Sequence, residues 1–185
     1  IFTSENGGLS TAEGTPTSNL PLRMGKGWGY EGGVRVPLIV KWPGVTRAGT
    51  VSDEQVMSTD FFPTFVKAAG GKIKGTVDGI DLLPLMKGGE IKREALYWHY
   101  PHYSNQGGFP SGAIRMGNWK LLWMCTPHGS GAWQLYDLQA DPAETNDLAA
   151  AQPDVLGQMI GHWNDYVSKN NVVLPDRSPL CARVD

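Results

Sequence analysis

The chain has 185 residues, 41% hydrophobic and 18% charged, enough apolar material to bury a core and too much for a disordered segment. Sixteen basic residues against 18 acidic ones leave a formal charge of -2, so no long-range field draws the chain to nucleic acid or an anionic membrane, and any anion it binds must be met by local geometry. No apolar run approaches the ~20 residues of a membrane span, and Cys125 and Cys181 match neither a disulfide-dense scaffold nor a zinc-ligand spacing, leaving one bridge or two free thiols equally open.

Residues 1–6, IFTSEN, read as a strand that stops at an acid and an amide, where a cation could sit. Turn formers then crowd "GGLSTAEGTPTSNLPLRMGKGWGYEGG", which reads as one long loop, and loops of that length in compact domains usually have a function. "VRVPLIVKWPG" follows as an apolar, β-branched run suited to a buried strand, with Pro37 near its start. "STDFFPTFVKAAGG" predicts a helix with Ser58 or Thr59 as N-cap, Pro63 near its first turn and Gly70 as stop. Past the "DGIDLLPLMKGG" turn region the texture changes, which divides the chain into residues 1–92 and 93–185. "ALYWHY", "GAIRMGNWKLLWMC" and "WQLYDL" predict three to four antiparallel strands, with "MGNW" as a hairpin turn. A final helix from about Pro153 to Lys169 places Val155, Met159, His162, Trp163 and Tyr166 on one face, to cover the sheet.

Two motif matches are set aside. Gly27, Gly29 and Gly32 satisfy G-x-G-x-x-G, but no strand precedes them, and Pro37 with β-branched residues stands where a helix must begin. His99 and His102 in "WHYPHY" have three-residue spacing, yet Pro101 between them opposes a helix and no acidic ligand is near.

The joint pattern is more informative. "FTSENGG", "PLRMGKGWGYEGGVRVPLIVKWPG", "STDFFPTFVKAAGG", "DGIDLLPLMKGG", "AIRMGNWKLL" and "LYDLQADPAETNDLA" follow one another in order, and together they resemble the C-terminal part of the arylsulfatase-like sulfatases. The resemblance implies an α/β fold of the alkaline-phosphatase type. Residues 1–92 would be the end of the catalytic α/β domain, starting inside its last active-site strand, and residues 93–185 a C-terminal subdomain of antiparallel sheet plus helix.

The resemblance also implies a site. Glu5 and Asn6 match the family's Asp-Asn pair that holds calcium with carboxylates from an earlier segment; oxygen donors suit that hard cation, and Glu in place of Asp moves the carboxylate by roughly one bond length. Lys26 matches the lysine that reaches the substrate sulfate, as a mobile point charge flanked by Gly25 and Gly27. Arg23 could contact sulfate or brace the loop against Glu31, and His102 is a candidate contact to the leaving group or sugar. The nucleophile would be a formylglycine from a Cys/Ser-x-Pro-x-Arg motif. "CTPHG", Cys125 to Gly129, has Gly in place of Arg and sits at a strand end, so it is rejected.

The implied activity is hydrolysis of a sulfate ester, of a sulfated glycan or an aryl sulfate, by an exported, periplasmic or secreted, calcium enzyme, with this segment inactive alone and completed by the upstream half of its domain. The alternatives are a non-catalytic glycan-binding module, with the aromatic run Tyr97 to Tyr103 stacking on sugars, and a phosphonate or phosphodiester hydrolase of the same superfamily.

Overall fold

The computed structural model describes residues 1–11, 17–102, 108–125 and 129–173. They form two compact units, one of Ile1–Phe2 with Leu38–Arg93 and one of Thr3–Pro37 with Glu94–Asp185. One boundary between the units falls after Arg93, and the glycine-rich loop groups with the later sheet. Its aromatic residues Trp28 and Tyr30 are the reason: they complete a core there.

β1 (Phe2–Thr3), of which Phe2 belongs to the first unit, and β2 (Leu38–Ile39) make a two-stranded sheet. The run around β2 was expected to be buried, yet Ile39 is 60% exposed and Phe2 68%. An apolar strand is buried only where layers cover it, and among the described residues β1 is its one sheet partner. Helix α1 (Glu31–Val34) is a single turn within the second unit; in the first unit a 3-10 turn at Ser58–Asp60 leads into α2 (Phe61–Ala68), with Pro63 in its first turn. Neither Ser58 nor Thr59 caps this helix. The N-cap position falls on buried Asp60, which makes no side-chain bond to the helix; its carboxylate instead accepts the N–H groups of Met57 and Ile80, both at 2.8 Å, and receives Arg93 at 2.6 Å. Gly70, at φ +70, ends the helix as expected, donating to Lys67 while Gly71 donates to Val66, a left-handed stop. A short helix, α3 (Leu83–Met86), lies in the segment read as turn.

The second unit is a four-stranded antiparallel sheet in chain order, β3 (Leu96–Tyr100), β4 (Ser111–Met116), β5 (Trp119–Met124) and β6 (Trp133–Asp137). The loop between β4 and β5 has Gly117 at φ +56 in the first of its two positions, where such hairpins need positive φ. Ile114, Leu121 and Leu135 lie in register on one face, under α4 (Pro153–Lys169), which buries Met159 and Trp163 and half-buries Val155. Trp163 lies so close to β4 that a Cβ on Gly112 would fall 2.5 Å from its ring. Tyr97 stacks on Tyr166 with centroids 4.3 Å apart. On the other face, Ala113, Leu122, Met124 and Tyr136 pack with Trp28, Tyr30 and Leu138. Burial on both faces explains why "KLLWM" reads as a nearly continuous apolar run rather than an alternating one. Cys125 follows β5, buried and not a free thiol; Cys181 lies outside the described residues.

Candidate functional site

The described residues of the glycine-rich segment hold together by backbone meeting backbone. Gly7 N–H donates to the Gly33 carbonyl at 2.9 Å, Gly32 N–H to Arg23 at 2.9 Å, and Lys26 N–H to Gly8 at 3.2 Å. A Cβ on Gly7 would lie 1.6 Å from the Gly32 oxygen, and one on Gly25 would lie 2.2 Å from the Gly8 oxygen. These glycines are therefore needed so that three chain segments can touch. At Gly25 this is a different reason from the approach to a ligand that the sequence suggests. The Asn19 amide ties the same segments, accepting from Gly8 N–H at 2.9 Å and donating to Gly8 and Met24 carbonyls at 2.8 and 3.0 Å. Met24 sits at φ +60, a conformation that a side-chain-bearing residue adopts only when its surroundings impose it.

This packing brings the segment that carries Glu5 and Asn6 beside the segment that carries Lys26. Glu5 is exposed, and Asn6 and Lys26 are half-exposed. Among the described residues the Lys26 ammonium, the Glu5 carboxylate and the Asn6 amide make no ion pair or side-chain hydrogen bond. As oxygen donors Glu5 and Asn6 suit a hard cation, although two residues fall short of the six to eight oxygens that calcium takes. No group of three or more potential metal ligands occurs among the described residues.

Beneath the loop lies a charge network that the sequence reading missed. Lys120, on β5, is fully buried, and its Nζ stands 2.9 Å from both Glu31 Oε1 and Glu144 Oε1. Glu144 Oε2 accepts the Glu31 N–H at 2.6 Å, and Arg115 Nη1 approaches Glu31 Oε2 at 3.5 Å. Two cations thus balance two carboxylates. Burial pushes the Glu144 carboxyl above the usual carboxylate range, and Lys120 opposes that rise. Burial likewise raises the hydroxyls of Tyr30 and Tyr136. One signal could have exposed Lys120: strict alternation along β5 puts it on the face of Leu122 and Met124, which is buried.

Arg23 braces the loop, with different partners from the expected Glu31. Its Nη1 donates to the Glu144 carbonyl at 2.7 Å and reaches the Tyr136 hydroxyl at 3.4 Å, while its guanidinium lies 4.0 Å from the Tyr30 ring centroid. His102 is exposed and meets Tyr100 edge-on at 5.3 Å. Of the aromatic run considered for sugar stacking, Tyr97 is taken up by Tyr166 and Trp98 packs on the core, while Tyr103 lies outside the described residues. Residues 126–128 of the rejected "CTPHG" motif also lie outside them.

The family model of N-sulphoglucosamine sulphohydrolase, C-terminal, matches residues 24–160, which takes in the Lys26 loop, the sheet and the Lys120 network. This chain belongs to that sulfatase family. A sulfatase of Formosa agariphila is 34% identical over 202 residues, covering 100% of this chain and 35% of its own length. Among solved structures, Ps i-CgsB in complex with k-i-k-neocarrahexaose superposes with a TM-score of 0.75 at 30% identity, covering 89% of this chain and 35% of that one. A protein solved with its substrate D-glucosamine-2-N,6-O-disulfate gives 0.64 at 29% identity, over 76% and 30%. The sulfatase segment described here therefore spans about a third of the length of these relatives.

Proposed function

We propose that this chain supplies the Lys26 side of a sulfate-ester hydrolase site, acting in the intact protein on sulfate carried by a sugar. The observation that carries the reading is the convergence of the Asn6 and Lys26 segments through glycine contacts, with no ion pair or side-chain hydrogen bond to either side chain among the described residues. Family membership supports the reaction class. The relatives solved with an oligosaccharide and with a sulfated glucosamine support a glycan substrate over a simple aryl sulfate.

In this reading Lys26 binds and orients the sulfate. Its ammonium offsets negative charge on the sulfuryl oxygens, a contribution that grows where charge develops as the ester bond breaks. Glu5 and Asn6 would hold calcium together with oxygens from outside this segment. A cation there supplies electrostatic stabilisation of the sulfuryl group. The nucleophile, a formylglycine from a Cys/Ser-x-Pro-x-Arg motif, comes from elsewhere in the protein, so residues 1–185 alone do not turn over substrate. Arg23 acts through the loop it braces, and His102, exposed beside Tyr100, is offered as a contact to the leaving group. We place the intact protein outside the cytoplasm, in the periplasm or secreted.

Lys26→Ala in the intact protein tests this directly. Loss of a charge-stabilising group should lower kcat/KM on a sulfated sugar by ~10²-fold. A loss below about threefold in a normally folded variant would reduce Lys26 to loop surface.

A further inference from the structure

The Lys120 network can be followed from the sheet to the reactive loop. Lys120 binds the carboxylate of Glu31, whose own N–H is held by Glu144. Next to Glu31, Gly32 N–H donates to the Arg23 carbonyl, three residues from Lys26; Gly33 then accepts from Gly7, the neighbour of Asn6. Glu144 also fixes the Arg23 guanidinium through its carbonyl. From the geometry we infer that Lys120 is a positioning residue: clamped between Glu31 and Glu144, it sets the backbone that presents Lys26 and Asn6 to the ligand. The inference rests on the reading of Lys26 proposed above.

A buried ion network is a poor device for stability alone, because well-packed apolar residues of similar volume often do as well or better. It differs from an apolar core in direction. Nζ at 2.9 Å from two carboxylates, with a third short bond from the Glu31 backbone, permits one placement of the EGG segment on the sheet. A slide of the loop by one residue would leave buried charges unpaired. Apolar contacts between Trp28, Tyr30 and the sheet carry no such penalty for slippage. Catalysis needs that accuracy, since misplacement of a reactive group by ~1 Å can cost ~10²-fold.

A double-mutant cycle in the intact protein separates positioning from simple stability. Lys120→Met should lower kcat/KM by about 10- to 100-fold in the wild-type background and by a clearly smaller factor in Lys26→Ala, where the part of its effect that passes through Lys26 is already lost and only the part through Asn6 remains. Lys120→Arg should recover part of the loss. Hydrogen exchange of the Gly7, Lys26 and Gly32 amides should quicken in Lys120→Met, while Leu121 and Leu135 in the sheet stay protected. Equal losses in both backgrounds, or unchanged exchange in the loop, would overturn the inference. If Lys120→Met does not accumulate in folded form, Lys120→Met with Glu144→Gln removes the unpaired carboxylate and carries the same expectations. If Lys26→Ala alone leaves kcat/KM intact, the sulfate reading falls instead, and the exchange measurement decides whether Lys120 holds the loop.

Discussion

Replacing Gly7 with alanine asks one methyl group to enter a backbone contact. Its Cβ would lie 1.6 Å from the Gly32 oxygen and 2.7 Å from the Gly32 carbonyl carbon, where real Cβ atoms do not come under 3.0 Å. The two segments must part by roughly 1.4 Å, and since both obstacles are backbone no rotamer change relieves them. Overpacking of this kind costs about 1–3 kcal/mol. The Gly7 N–H bond to Gly33, 2.9 Å in the native packing, is lost with it, adding about 1 kcal/mol. The expected destabilisation is thus about 2–4 kcal/mol, measured by denaturation of the intact protein. If Glu5 and Asn6 hold calcium as proposed, its affinity by titration calorimetry should fall at least about tenfold, because Asn6 adjoins the displaced residue. Gly44→Ala is the control: it sits at φ +80 with nothing within 4 Å, so it should cost only the left-handed conformation, about 1–2 kcal/mol, and leave calcium binding alone. A Gly7→Ala protein within about 0.5 kcal/mol of wild type would refute the argument that backbone crowding joins these segments.

Two further outcomes are expected. Burial holds the His99 imidazole below its ordinary value, so the unfolded chain takes up the proton first; stability should drop as pH falls below about 6.5, until the folded state also protonates, and His99→Gln should flatten that part of the pH–stability curve. Trp163→Ala should cost about 3–5 kcal/mol in chemical denaturation, because the indole fills the space over Gly112 and meets Trp133 edge-on at 5.6 Å.

The sheet and its helix were legible because their signals are local. Short apolar and aromatic runs bounded by turn residues marked β3 to β6, and helical spacing of Val155, Met159 and Trp163 marked α4. The same local logic failed at Ser58 and Thr59: the cap position falls on Asp60, whose carboxylate the fold commits to Arg93, 33 residues away, rather than to the helix. It failed also at β2, where an apolar run says that a strand wants covering and nothing about what covers it.

The order of its motifs was enough, by itself, to place this chain in its family and to nominate Glu5, Asn6, Arg23, Lys26 and His102. Tertiary structure alone decided how the glycine-rich loop is held: by contacts of Gly7 with Gly32 and of Gly25 with Gly8, by Arg23 against Tyr30 and Glu144, and by Lys120 beneath. The physical reason is distance along the chain. Hydrophobic period and turn chemistry act over a few residues, whereas Lys120 meets a carboxylate 89 positions away, and Glu31 meets another 113 positions on. A lysine among leucines reads as a solvent-facing strand position until the fold shows that both faces of its sheet are covered.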